Sequence, residues 1–526
     1  MGEDSRIRRF FVPPSSDAIA AGERPPFWAP LVVALAIATV LLVPAWNRSI
    51  NLSDEGLVWD GAAKVAAGTY DPAVFGHYST RYFLESLAFH DPSSAVATLR
   101  FAWTLERIAT AVIAGLIVFR FAGGLAMALT ILAFALIPGP MHKAMIPLSI
   151  AVTLALLVWR RPNWRMVHGI TLGIATAAIT GLHPYTGVPL AVAALVLQLT
   201  ERKDKFCGLC PILLVVFYFG TLPLLAPWVL HLDLSSFFAR HAALVSSDFL
   251  APRDLIVALF TGLRTPGIQG VAEAAFIDAG VIVIAVAIRF LKADSKSDPD
   301  LRRVVYLLLV VGLAGVPKML ARADGAHFLQ NHLPFTMLAI VLFLTRVHPG
   351  KPLFRQSQGR IAFVAFTATA FVVIVFGVQQ SYYVGGIFQA APSWKRLPAD
   401  IAPLRDEEPR VEDITEVVEL VRTGSKSGDA IFCAPFCPGL YHLSRRENPL
   451  PLSLFDRPED LWTYTEDDAL ADLQKAAPKV VVLEDFVADG KPANEFRRVA
   501  PRIFAWIGDN YRRVDQVGAF TVFEPR

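Results

Sequence analysis

The sequence predicts an α-helical, polytopic membrane protein with a small α/β domain at its C-terminal end. Two observations predict it. Of 526 residues, 54% are hydrophobic and only 18% charged, where a soluble chain carries about 25% charged residues; the mean hydropathy is +0.46. Long apolar runs recur up to about residue 380, and only beyond them does dense charge return, as DEEPR, SRRE and TEDD.

The apolar runs place spans near 27–46, 104–121, 123–138, 144–159, 166–182, 186–200, 211–230, 273–290, 303–320, 333–345 and 361–378, about eleven in all, several shorter than the ~20 residues of a straight span. Their orientation follows from where the cations lie. The N-terminal stretch carries Arg6, Arg8, Arg9 and Arg24, and every second connection after it is basic: Arg120; Arg160, Arg161 and Arg165; Arg202, Lys203 and Lys205; Arg289, Lys292, Lys296, Arg302 and Arg303; Arg346, Lys351, Arg355 and Arg360. The intervening short connections hold only Lys143, then Lys318 and Arg322. This predicts a cytoplasmic N-terminus and, with an odd number of spans, an external tail.

The expected organisation is a cytoplasmic arm at 1–26, a transmembrane domain at 27–378 with long external loops at 47–103 and 231–272, and an extracytoplasmic α/β domain at 379–526. In the tail, Ile414, Val417, Val418 and Val421 recur at helical spacing. Segments 429–434 and 479–485 read as strands, 466–476 and 502–507 as helices, and 512–524 as a strand pair. The short basic loops leave no room for a cytoplasmic nucleotide-binding domain, and no GxxxxGK[ST] loop occurs, which argues against a self-contained ATP-driven pump. Cys433 and Cys437 lie in the external tail, where a disulfide is permitted; a bridge and two buried thiols are both open. Cys207 and Cys210 form a CxxC with no second pair or histidine nearby, which reads as two incidental thiols and not a zinc site.

Three polar clusters fall on the external side. The first is Asn51-Leu52-Ser53-Asp54-Glu55-Gly56, just after the first span. Its adjacent carboxylates fit a general base or metal ligand at the membrane face. The plainer reading makes Ser53 or Asp54 the N-cap of a helix over 55–66, with Glu55 at its positive end. The second is His77-Tyr78-Ser79-Thr80-Arg81-Tyr82-Phe83, opening a helix with Tyr82, Phe83 and Leu87 on an apolar side. Arg81 fits either a phosphate contact or an arginine snorkelling to headgroups. The third is Arg322-Ala323-Asp324-Gly325-Ala326-His327, preceded by Lys318; here a surface ion pair of Arg322 with Asp324 is the plainer alternative. Lys143 adds a further external cation, and Glu106 and Arg107 each call for a partner on another span.

This succession resembles the C-type glycosyltransferase superfamily of polytopic membrane enzymes. It comprises one span, an Asp-Glu loop, the Gly68-Thr69-Tyr70 turn, a surface helix opened by Tyr and Arg, many spans, Arg-x-Asp-x-x-His-Phe and an external α/β tail. It looks most like bacterial members related to protein mannosyltransferases and aminoarabinose transferases. Relatives often carry a Pro-rich turn where this chain has His77-Tyr78-Ser79-Thr80. The resemblance implies an inverting hexosyl- or pentosyltransferase in a bacterial plasma membrane. It would move a sugar from a polyprenyl-phosphate carrier to a cell-envelope glycan, lipid or protein, with no nucleic-acid partner. Asp54 would be the general base and Glu55 its assistant or, with Asp54, the holder of a divalent cation such as Mg or Mn. Arg81, Lys143, Lys318 and Arg322 would meet the donor phosphate, and Asp324 and His327 would orient them or bind the sugar. A lipid-linked oligosaccharide polymerase or ligase, and a non-catalytic transporter-like protein, are the alternatives.

Overall fold

The computed structural model describes residues 28–71, 79–91, 94–136, 139–159, 165–200, 209–225, 268–293, 299–322, 332–346, 394–461, 464–488 and 492–526. The expected span at 361–378 and residues 231–267 of the expected loop at 231–272 lie outside them. The chain divides into two compact units. One comprises Met1–Trp46, Ala102–Leu225 and Asp248–Phe388; the other comprises Asn47–Phe101, Ala226–Ser247 and Gln389–Arg526. The compact units therefore group the first long loop with the tail.

The first unit is helical. Its described helices are α1 (Trp28–Leu42), most of α4 (Ala95–Leu136), α5 (Met145–Val158), α6 (Arg165–Leu182), α7 (Pro184–Thr200), α8 (Leu209–Leu225), α9 (Ile268–Ala293), α10 (Pro299–Arg322) and α11 (Leu333–Arg346). Trp28–Ala45, Ala95–Leu136 and Met141–Val158 are long and apolar enough to cross a membrane, and Met166–Leu182, Pro184–Thr200, Leu209–Leu225 and Leu333–Leu344 are shorter apolar helices. One core joins Ala34 and Ala38 of α1, Ile117, Met127 and Ile131 of α4, Leu154 of α5, Leu308 of α10 and Val341 of α11. Large apolar side chains also face outward, among them Val40, Leu125, Val192, Phe219 and Val281, a surface that suits lipid rather than water. The unit is that of a multi-pass membrane protein.

The break expected between 121 and 123 is present. Gly123 has φ 80° inside α4, a conformation open to glycine because it lacks a Cβ. Helices α6 and α8 meet backbone to backbone: a Cβ on Gly169 would lie 2.6 Å from the Cys210 carbonyl oxygen, and one on Gly173 2.5 Å from that of Leu214. Gly169 and Gly173 are four apart, so both lie on one helix face, the small-xxx-small arrangement that lets spans approach closely. Arg107 donates from Nη2 to the Gly139 carbonyl.

The second unit carries α2 (Asp54–Ala67), α3 (Ser79–Glu85) with a 3-10 turn after it (Ser86–His90), and the start of α4. Its tail portion runs β1 (Trp394–Arg396), β2 (Arg405–Glu407), α12 (Glu408–Gly424), β3 (Ile431–Ala434), α13 (Gly439–Ser444), α14 (Glu466–Ala476), β4 (Val480–Glu484), α15 (Phe496–Val499), α16 (Pro501–Asn510), β5 (Tyr511–Val517) and β6 (Phe520–Pro525). The main sheet has the order β3-β4-β6-β5, with β3 and β4 parallel and the other pairs antiparallel. The amphipathic stripe expected in the tail is the buried face of α12, with Val411 added to Ile414, Val417, Val418 and Val421. Each such side chain contributes about 1.5–3 kcal/mol on burial. Helix α14 spans the predicted residues and opens on a capping box between Thr465 and Asp468. Cys433 and Cys437 form a disulfide, and Cys210 is a buried thiol outside any disulfide.

Candidate functional site

The Asp-Glu loop is held on all sides by the second unit. Arg405 N donates to the Asn47 carbonyl at 2.8 Å, and Ile50 N donates to Asp406 Oδ2 at 2.8 Å. Gly439 N, at the start of α13, donates to the Leu52 carbonyl at 2.8 Å. The helices touch at two glycines: a Cβ on Gly56 would lie 2.2 Å from Gly439 N. Ser53 holds the N-cap position of α2 but makes no side-chain cap bond; two residues before it, Asn51 Oδ1 accepts from Ser53 N at 3.1 Å and, more weakly, from Glu55 N at 3.5 Å.

The two adjacent carboxylates go to different places. Glu55 is fully buried and gripped by Arg100, whose Nε donates to Oε1 at 2.6 Å and Nη2 to Oε2 at 2.7 Å. Arg100 is itself fully buried and also donates to the carbonyls of Arg48 at 2.9 Å and Ser49 at 2.6 Å. This fork satisfies both charges and shapes the loop around them. Asp54, the first residue of α2, is half-buried.

A second polar network lies two turns along α2, and the motif reading passed over it. Asp60 Oδ2 accepts from Lys64 Nζ at 2.6 Å, Asn448 Nδ2 at 3.0 Å and Ser453 Oγ. Lys64 Nζ also donates to the Pro451 carbonyl at 3.2 Å. Burial alone would raise the Asp60 carboxyl, but the Lys64 ammonium and the hydrogen bonds from Lys64 and Ser453 hold it below its ordinary value. Burial pulls Lys64 down, against the pull of Asp60. His442 sits against Trp59 and Phe89, ring centroids 6.4 and 5.4 Å away, and burial lowers it to about 4, so it is neutral at neutral pH. The Asp60–Lys64 spacing of four was visible as a helix ion pair; its tail partners, almost 400 residues away in the chain, were not.

The remaining predicted residues fall as follows. Arg81 is buried, and its Nε and Nη2 both donate to Glu85 Oε1 at 2.9 Å. Tyr82 does not share a face with Phe83 and Leu87: it is buried beside Gly61, while Phe83 and Leu87 are exposed. Glycine at 61 leaves the space that the tyrosine ring fills. Lys143 ends a 3-10 turn in the first unit and is half-buried. Lys318 and Arg322 belong to the last turns of α10. Asp324 and His327 lie outside the described residues. Among the described residues no group of three or more His, Cys, Asp or Glu side chains is placed to hold a metal. The Asp54–Glu55 pair does not suit one, because Arg100 occupies both Glu55 oxygens.

The sequence matches no protein-family model and no curated protein. The structure is similar to several solved structures. ArnT from Cupriavidus metallidurans, solved bound to undecaprenyl phosphate, is 12% identical with a TM-score of 0.49, covering 94% of this chain and 97% of that one. The oligosaccharyltransferase AglB from Archaeoglobus fulgidus, solved with an inhibitory peptide and a dolichol-phosphate, is 13% identical with a TM-score of 0.47, covering 87% and 69%. The arabinofuranosyltransferase AftD from Mycobacteria is 13% identical with a TM-score of 0.46, covering 94% and 40%.

Proposed function

We propose that this chain is a membrane glycosyltransferase that moves a sugar from a polyprenyl-phosphate carrier to an acceptor on the external face, with Asp54 as general base. The observation that carries the reading is the division of labour in the Asp-Glu pair. Glu55 is consumed by Arg100, so it anchors the loop. Asp54 is half-buried beside it, at the start of α2. A rigid anchor next to a partly exposed carboxylate is how a base is held in place.

In the proposed step the Asp54 carboxylate takes the acceptor hydroxyl proton as that oxygen attacks the anomeric carbon. The bond from that carbon to the lipid phosphate breaks, and its electron pair leaves with the phosphate, inverting the centre. Lys143, Lys318 and Arg322 are the proposed cations for the leaving phosphate, with Asp324 and His327 orienting them or binding the sugar. Arg81 is the weaker candidate, because Glu85 already balances its charge. No step is routed through a metal. The Cys433–Cys437 disulfide supports an oxidising, external compartment for the tail. The hydrogen bonds from the tail to residues 47–52 support the same side for the Asp54 loop.

The test is transfer of radiolabelled sugar from a polyprenyl-phospho-sugar by the purified full-length chain. Asp54→Asn is expected to lower the rate about 10²–10⁴-fold, with the thermal unfolding profile unchanged. Full activity in that variant removes Asp54 as the base.

A further inference from the structure

Helix α2 carries the proposed base, and one stripe of it is given over to the tail. Gly56, Asp60 and Lys64 recur at every fourth residue, so they lie on one face. All three meet tail residues. Gly56 packs against the backbone of Gly439. Asp60 Oδ2 accepts from Asn448 Nδ2 at 3.0 Å and from Ser453 Oγ. Lys64 Nζ donates to the Pro451 carbonyl at 3.2 Å and to Ser453 Oγ at 3.3 Å, besides Asp60 at 2.6 Å. The stripe covers about 12 Å of helix. Asp54 lies two residues before Gly56, about 200° around the helix, which sets it on the side opposite the stripe.

Stability does not explain why the stripe is polar. Asp60 and Lys64 are 4% and 9% exposed, and apolar residues of like volume in place of a buried ion pair are often as stable or more so. What an apolar pair lacks is direction. Apolar surfaces tolerate a small roll, whereas bonds to Asn448, Pro451 and Ser453 keep good geometry over a narrow range. The tail side of the contact is itself braced: Asn448 Nδ2 donates to Ser453 Oγ at 2.9 Å, and Asn448 Oδ1 accepts from Leu450 N at 3.0 Å. Roll matters at Asp54. A carboxylate about 5 Å from the helix axis moves about 1 Å when the helix rolls by about 10–15°. An error of about 1 Å in the place of a reacting group costs about 10²-fold in rate.

We propose that Asp60 and Lys64 are positioning residues: bonded to the tail segment 448–453, they fix the roll of α2 and so the place of the Asp54 carboxylate. Through this contact the tail acts on the reaction by way of Asp54. The proposal rests on the reading of Asp54 as the base.

The test is a kinetic cycle on the purified full-length chain with a radiolabelled polyprenyl-phospho-sugar as donor. Asp60→Leu/Lys64→Met removes both charges together and leaves Ser453 and Asn448 bonded to each other. Its unfolding midpoint should stay near that of the wild type. Its kcat per folded molecule should fall about 10–10²-fold, with KM for the donor changed less than about twofold. In an Asp54→Asn background the same double change should alter the remaining rate less than about threefold, because groups that act through Asp54 then have nothing to place. A merely structural role would lower the rate by the same factor in both backgrounds. Ser453→Ala, which removes the tail hydroxyl from the contact, should give a smaller fall with the same dependence on Asp54, and it carries the test if the double variant does not fold. Full activity in Asp54→Asn removes the base, and this proposal falls with it. With Asp54→Asn impaired, three results overturn the proposal and leave the base standing: variants that turn over like the wild type, equal falls in both backgrounds, or a rise in KM with kcat unchanged.

Discussion

The two compact units differ in how they satisfy many of their buried polar groups. In the helical unit the hydroxyls are served locally: those of Thr110, Thr130, Ser149, Thr153 and Thr176 donate to carbonyls four residues back on their own helices, while Arg107 and Arg303 reach carbonyls on other segments. Contact between α6 and α8 comes from the absence of side chains at Gly169 and Gly173. In the loop-and-tail unit the bonds join distant parts of the chain. Arg100 reaches back 45 residues to Glu55, and Ser453 reaches 393 residues to Asp60. The reason lies in the solvent. In hydrocarbon a helix must complete its own backbone and hydroxyl bonding, whereas a unit assembled from separate segments needs specific polar links to bring them into register. The candidate base sits in the unit of the second kind.

The largest effect that would break this contrast is expected at the Glu55–Arg100 fork. Glu55→Gln leaves Arg100 buried without its counter-charge and should cost about 3–5 kcal/mol. Thermal unfolding of the purified chain reads it; removing both groups in Glu55→Gln/Arg100→Met should recover part of the loss. Next comes Gly56→Ala, whose new methyl would meet backbone and not a movable side chain. It should cost up to about 3 kcal/mol and expose the α13 region to limited proteolysis. Gly169→Ala, the matching insertion between α6 and α8, should leave that cleavage pattern unchanged. Equal exposure in both variants would sink the idea that the units are held together by separate means.

Removing the disulfide as Cys433→Ser/Cys437→Ser should cost about 2 kcal/mol for so short a loop, read by unfolding with and without reductant. The smallest effects are those of pH. His442 is lowered to about 4 from an ordinary 6.5, so the unfolded chain binds more protons between those values. The stability it contributes is complete above pH 6.5 and is lost as pH falls toward 4. Glu484 is raised by burial to about 7 from 4.5, so its contribution is complete below 4.5 and is lost as pH rises through 7. Glu484→Gln should flatten the neutral side of the profile and leave the acid side in place; loss of the acid limb in that variant would mean the two groups are coupled.

Much of the local structure was legible. The spacing of Ile414, Val417, Val418 and Val421 marked the buried face of α12, because a helix repeats its faces by geometry alone. The break near 122 was placed where Gly123 interrupts α4. The disulfide was open from compartment and became a bond only when the fold brought the two thiols together. The polar site was less legible. Asp54 and Glu55 looked equivalent side by side, and nothing within the loop distinguishes them; Arg100 does. Tyr82 looked like a partner of Phe83 and Leu87 until Gly61 made room for it.

The sequence by itself determined that this chain is an apolar, helical, many-span protein with a charged α/β tail, since hydropathy and periodicity act over a few consecutive residues. It also determined which residues are candidates for chemistry. The tertiary structure alone decided that the loop after the first span is built together with the tail, that Arg100 grips Glu55 while Asp54 is half-buried, and that Asp60 and Lys64 meet partners from the tail. Those outcomes depend on contacts between segments hundreds of residues apart, where charge and burial are set by neighbours that no local pattern names.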